Sequence, residues 1–285
     1  MTTNSGMDLK ELKLRPHQQA FVERFVKACQ ADDRVVAAFL GGSHAKGYAD
    51  AYSDVDLCVI TTDEAFEGFR KDREAFLRSF GDLVFLEDFG NPNCAFYIYA
   101  DDTEGELNFG SEGQPGEIHS GPFQTLLDKK GFLEGAEFPE GVPASSEQIE
   151  KLRSQVQGFW HELSHFIKAM QRNQLWWAQG QLEALRSISV NLARLQYNIL
   201  DADAGDEAYF KIENIMPVEQ LAPLKETFGP MKKAELLKRV LAIVRFYLDI
   251  APPLAQKHGV KYSHDLERVM LDRLQKLQDK SGQHG

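Results

Sequence analysis

Apolar positions along the first half of the chain change period often. Phe21, Phe25, Val26 and Cys29 share one helical face, which predicts an opening helix over 16–30. Val35 to Leu40 is a short continuous apolar run that ends in Gly41-Gly42, the pattern of a buried strand entering a tight turn. Residues 55–60 read as the next strand. Phe66, Phe69, Phe76, Leu77 and Phe80 keep near-helical spacing and predict one helix over 63–80. Three β-like segments follow at 82–87, 94–100 and 105–110. Together these predict an α/β domain with a mixed sheet. Residues 133–146, rich in Gly, Pro, Glu and Ser, read as a linker.

Beyond it only a helical period remains. Ile149, Leu152, Val156, Phe159, Leu163, Phe166 and Met170 advance by threes and fours, as an amphipathic helix does. The pattern returns over 178–200, 234–250 and 263–278, and Pro252-Pro253 is expected to stop the helix over 234–250. The fold expected is thus an α/β domain over 1–140 followed by an all-α helical bundle over 141–285.

Composition changes this picture in one respect. The 285 residues carry a formal net charge of -11, with 43% hydrophobic and 26% charged residues, which is ordinary for a globular chain. Residues 1–140 hold 13 basic and 26 acidic side chains, so the acidity belongs to the first half. Such a balance argues against broad binding of nucleic-acid phosphates. The 3 cysteines, Cys29, Cys58 and Cys94, lack metal-ligand spacing and suggest reduced thiols in a cytoplasm. The first six residues show no signal-peptide pattern, and no apolar run is long enough for a membrane span.

The chemistry concentrates between Gly41 and Leu57. Gly42 allows close backbone approach, and Ser43 adds a hydroxyl and an N–H, a turn suited to phosphate oxygens. Lys46 adds a nearby positive charge. Asp54 and Asp56 stand two residues apart in an expected strand, so both leave one face. Paired carboxylates of this kind suit Mg²⁺ held jointly with substrate phosphates. A third acid is expected from the alternating segment 104–110, where Leu107 and Phe109 face the core and Glu106 and Asn108 face away.

Gly42-Ser43, Lys46-Gly47 and Tyr52-Ser53-Asp54-Val55-Asp56 resemble the signature of the polymerase-β-like nucleotidyltransferases, the superfamily that includes antibiotic nucleotidyltransferases. Gly105-Glu106-Leu107-Asn108-Phe109, and Arg172 ahead of Leu175-Trp176-Trp177, resemble segments of the lincosamide nucleotidyltransferases. That resemblance implies Asp54 and Asp56 as magnesium ligands and Glu106 as the base that deprotonates an acceptor hydroxyl. It implies Gly42 and Ser43 as triphosphate contacts. Gly41 and Asn108 depart from the pattern, which has Tyr and His there, so the acceptor is expected to differ.

The activity expected is transfer of a nucleoside monophosphate, AMP from ATP above all, to a hydroxyl of a lincosamide- or aminoglycoside-like molecule in a cleft between the two domains. A protein or RNA acceptor, or a degenerate nucleotide-binding module, are the alternatives. Neither nucleic acid nor membrane is expected as partner, and a homodimer stays open.

His161-Glu162-Leu163-Ser164-His165 matches the zinc-protease pattern His-Glu-x-x-His. It falls on the polar side of its helix, and Glu183 is only a formal third ligand. The same side carries Lys168 and Arg172. His161, His165, Lys168 and Arg172 form one stripe, which reads either as a solvated face or as a face turned to the first domain that helps hold the triphosphate. Trp176 and Trp177 read as core or interface packing, or as the lining of an acceptor pocket.

Overall fold

The computed structural model describes residues 13–114, 118–139, 145–201 and 203–282. The first six residues and the expected boundary at 140/141 lie outside the described residues, as does part of the expected linker. The chain divides into two compact units, Met1–Gly141 and Val142–Gly285.

In the first unit α1 (Pro16–Ala31) buries Phe21, Val22, Phe25 and Cys29. β1 (Val35–Leu40) is buried at all six positions and leads through Gly41 into the single turn α2 (Gly42–Ala45). β2 (Leu57–Thr61) follows, then α3 (Asp63–Lys71) and α4 (Arg73–Arg78). The one helix expected over 63–80 is thus two. Asp72 leaves helical geometry at φ -86° and ψ 0°, and its carboxylate pairs with Arg34 at 2.7 Å. Phe69 and Phe76 on either side of this break still pack with ring centroids 4.8 Å apart.

β3 (Leu83–Glu87), β4 (Cys94–Tyr99), β5 (Glu104–Ser111) and β6 (Gln124–Asp128) complete a six-stranded sheet in the order β3-β4-β5-β2-β1-β6. β2 and β5 run parallel and the other neighbours antiparallel, so the sheet is mixed. One sheet face packs on α1, α3 and α4 through residues such as Leu57, Val59, Leu107 and Phe109. On the other face Val36, Phe39, Cys58 and Ile60 are covered by Ile118, Leu133 and Phe138. Leu133 and Phe138 fall inside the stretch expected to be linker. They are core residues instead, because the second face near β1 would otherwise stand in water.

The second unit comprises α5 (Ser145–Gln171), α6 (Leu175–Tyr197), the short α7 (Ile212–Ile215) and α8 (Val218–Lys225), then α9 (Lys233–Lys257) and α10 (His264–Gly282). Its core is apolar and aromatic. Phe159 stacks on Tyr247 at 3.6 Å, and the Tyr247 hydroxyl donates to the Val156 carbonyl at 2.8 Å. Three guanidinium groups are buried with partners, among them Arg239, which donates to the Gly229 carbonyl at 2.7 Å and to Gln179 Oε1 at 2.9 Å. Arg194 donates to Asp201 at 2.7 and 3.2 Å and to the Phe210 carbonyl at 2.6 Å. Arg186 donates to the Thr227 hydroxyl and carbonyl at 2.9 and 2.8 Å.

Pro252-Pro253 does not stop its helix; α9 runs through both to Lys257. Two prolines remove two ladder hydrogen bonds at a cost of about 3 kcal/mol each. Burial of Ile250, Ala251, Leu254 and Ala255 on either side offsets that cost by keeping the helix on the core. No helix is long and apolar enough to cross a membrane among the described residues.

Candidate active site

Asp54 and Asp56 precede β2 rather than lying inside it, but backbone bonds extend the ladder to hold them. The Gly41 N–H donates to the Asp56 carbonyl at 2.8 Å, and the Val55 N–H donates to the Glu104 carbonyl at 2.9 Å. From the buried side the Tyr97 hydroxyl donates to the Val55 carbonyl. Upstream, Gln18 Nε2 donates to the Ser53 carbonyl at 3.0 Å, and the Asp50 carboxylate accepts the Tyr52 N–H at 2.8 Å. The lead-in to β2 is therefore fixed at nearly every residue.

Parallel pairing sets Leu57 against Leu107 and Cys58 against Asn108. One step back along both strands, Glu106 falls beside Asp56, as the alternation requires. β5 can come this close because residue 105 is glycine: a Cβ there would stand 2.2 Å from the Val55 oxygen. Asp56 is half-buried, while Asp54 and Glu106 are exposed.

The electrostatics follow from that crowding. Burial first, then the charges of Glu106 and Asp54, push the Asp56 carboxyl up to about 6. Burial and Glu106 also raise Asp54, and Arg15 partly opposes them. Two carboxylates with raised pKa values beside a third offer the oxygen donor set that a hard cation takes. They fit Mg²⁺, a hard ion that one or two carboxylates hold together with substrate phosphates.

The turn after β1 is shaped around the same carboxylate. Gly42 sits at φ +57°, and a Cβ there would fall 1.8 Å from Asp56 Oδ2. Only glycine lets this turn close over Asp56. Ser43 follows it and is half-buried. The Lys46 N–H donates back to the carbonyls of Gly42 and His44, and the Lys46 side chain is exposed. Burial lowers the pKa of His44, which leaves the neutral imidazole favoured in the turn. Gly42, Ser43, Asp54, Asp56 and Glu106 thus gather at one end of the central strands β1, β2 and β5, with Lys46 three residues on from Ser43. Lys168 and Arg172 belong to the other unit, where both are exposed on or just beyond α5.

Two neighbours of this site carry no sequence signal of their own. Cys94 lies on β4 opposite Asn108, and its thiol donates to the Glu106 carboxylate. Burial and the Glu106 charge push that thiol up to about 12, so it remains a donor at neutral pH. The His119 ring packs on Gly41 and on Phe39, with ring centroids 5.2 Å apart in the second contact. A side chain at position 41 would collide with it: the added Cβ would be 2.9 Å from His119 Cε1. An aromatic side chain there, as the lincosamide pattern has, would require the His119 ring to move.

A turn that opens onto paired carboxylates, with a third acid on the adjacent parallel strand, defines a nucleotidyltransferase of the polymerase-β-like class. The model of the streptomycin adenylyltransferase family matches residues 16–277, and the chain belongs to that family. It is an adenylyltransferase. A comparison with curated proteins finds no match. Among solved structures, an aminoglycoside 6-adenyltransferase from Bacillus subtilis is 16% identical, with 93% of this chain and 99% of that chain covered and a TM-score of 0.39. The CD-NTase CdnG of Bradyrhizobium diazoefficiens, solved with GTP, is 15% identical, with coverages of 92% and 90% and a TM-score of 0.25.

Proposed function

We propose that the protein transfers AMP from ATP to a hydroxyl of an aminoglycoside-like antibiotic and releases pyrophosphate. The observation that carries this reading is the convergence of Asp54, Asp56 and Glu106 beside the Gly42-Ser43 turn. Asp54 and Asp56 would hold Mg²⁺, which when bound supplies positive charge to the triphosphate.

The turn binds phosphate oxygens through the backbone at Gly42 and Ser43 and through the Ser43 hydroxyl, with Lys46 adding charge. Glu106 takes the proton of the acceptor hydroxyl as its oxygen bonds to the α-phosphorus. The bond from that phosphorus to the bridging oxygen breaks, and pyrophosphate leaves. Cys94 orients the Glu106 carboxylate through its S–H. Lys168 and Arg172 are proposed as further triphosphate contacts. If each alanine variant leaves the KM for ATP unchanged, that part is wrong.

The family model and the acidity of the first unit support a cationic acceptor. The same acidity weighs against an RNA acceptor. Three intact carboxylates weigh against a degenerate module.

The test is purified protein with ATP, magnesium and a panel of aminoglycosides and lincosamides. Pyrophosphate release and the mass of an adenylylated product are read together. Asp56→Asn should abolish both, and Glu106→Gln should lower kcat by about 10²–10⁴. Full activity in either variant overturns the assignment.

A further inference from the structure

The reaction above leaves one chemically loaded cluster unused. His161, Glu162 and His165 follow one another along a turn of α5, and a ligand atom from each lies within 4.8 Å of the others. The two imidazole centroids are 4.3 Å apart. His161 Nδ1 already faces Glu162 Oε1 at 2.9 Å. Ligand atoms about 2.1 Å from a common tetrahedral ion stand roughly 3.4 Å apart. Closing the set on an ion therefore asks for side-chain shifts of about 1 Å and no backbone change.

The carboxylate in this set is held from a second helix. With the Gln181 amide on α6 turned so that both its ends are satisfied, its nitrogen donates to Glu162 and its oxygen accepts the Trp177 indole N–H at 3.3 Å. A relay of this kind fixes a metal-binding carboxylate and raises its worth as a ligand. The His165 ring lies 5.8 Å from the Trp177 ring, against the same relay. Solvent reaches the cluster, since the His161 side chain is 66% exposed and that of Glu162 25%. Open coordination positions would be filled by water.

We infer that His161, Glu162 and His165 bind one late first-row divalent ion, Zn²⁺ or a congener such as Co²⁺ or Ni²⁺. Two imidazoles and one carboxylate suit these ions and not Mg²⁺, which prefers oxygen ligands. The site does not depend on the nucleotidyl-transfer reading, because it shares no residue with the sheet carboxylates. It is also not the protease site that the His-Glu-x-x-His pattern suggests. In that pattern the glutamate stays off the metal to act as base, whereas Glu162 stands among the ligands here. Glu183, the formal third ligand, is engaged by Arg186 and by the Tyr209 hydroxyl, which donates to it at 2.8 Å. The ion would clip a turn of α5 and, through Glu162, Gln181 and Trp177, tie that turn to α6.

The experiment is a titration of the full-length, metal-free protein with Co²⁺ and then Zn²⁺, with Mg²⁺ in excess to occupy oxygen-only sites. Calorimetry gives the stoichiometry, cobalt absorption gives the ligand field, and quenching of tryptophan emission by Co²⁺ reports an ion close to Trp177. One equivalent is expected. His161→Ala and His165→Ala should each weaken it at least about tenfold, and Gln181→Ala, which removes only the relay, by about tenfold. Circular dichroism checks that α5 and α6 stay helical in the variants, whose alanines replace exposed or half-buried side chains. Absence of binding up to millimolar Zn²⁺ overturns the inference. So does a histidine variant that binds within tenfold of the parent protein.

Discussion

Replacing Asp56 with asparagine should stabilise the sheet unit while it silences the enzyme. In the metal-free protein the ionised Asp56 is disfavoured by burial, by Glu106 and by Asp54, in that order, and its pKa rises from 3.8 to about 6. Each unit is worth 1.36 kcal/mol, so the ionised form costs the native state about 3 kcal/mol at pH 8. The sign follows from proton binding. Between about pH 4 and pH 6 the native state keeps a proton that the unfolded chain has released. The stabilisation from that proton is full below pH 4 and is lost as the pH rises through 6.

Asparagine has the same shape and no charge, and its carbonyl oxygen can still accept the Glu106 N–H that now reaches Asp56. Metal-free Asp56→Asn should exceed the parent protein by about 1–3 kcal/mol at pH 8 and match it near pH 4. The probe has to see the right unit. Trp160, Trp176 and Trp177 are the chain's 3 tryptophans, and all lie beyond residue 142, so their fluorescence follows the helical unit. Calorimetry or hydrogen exchange of the β2 and β5 amides reports the sheet. Magnesium should raise the stability of the parent protein and leave the variant unchanged. Equal or lower stability of the variant at pH 8 without metal refutes the electrostatic reasoning, as does a difference that ignores pH.

Other perturbations test other joints. Gly42→Ala places a Cβ 1.8 Å from Asp56 Oδ2 at a φ of +57°, so it should cost about 1–3 kcal/mol in urea unfolding and abolish transfer. Arg194→Met leaves the half-buried Asp201 without its cation and the Phe210 carbonyl without its donor, and should cost about 2–4 kcal/mol, read by tryptophan fluorescence in urea. The Cys94 thiol, pushed up to about 12, should react with Ellman's reagent at pH 8 roughly a thousandfold more slowly than an ordinary thiol. Reaction of Cys94 at an ordinary rate would mean that burial and the Glu106 carboxylate do not disfavour its thiolate.

What could be read from the chain alone follows how local each cause is. Asp54, Asp56 and the Gly42 turn lie within fifteen residues, and their chemistry is a matter of spacing. Glu106 is remote, but Leu107 and Phe109 betray its face, because a strand has only two. The cover over the second sheet face had no such signature. Ile118, Leu133 and Phe138 are scattered among glycines and prolines, and they acquire a core role only once β1 offers Phe39 to them. The same holds for Pro252-Pro253, where tertiary burial outweighs a local stop signal, and for Trp176, which is 81% exposed and not core.

Gly41 shows how a local departure can have a remote cause. By itself it reads as loss of an aromatic side chain. In the fold it is the space that His119 occupies, on a segment pinned where the Gly121 N–H donates to the Phe138 carbonyl at 2.7 Å. A departure from a family pattern at a glycine thus points to whatever fills the vacated volume. Here that is an imidazole from the segment covering the second face, packed against the turn that carries Gly42.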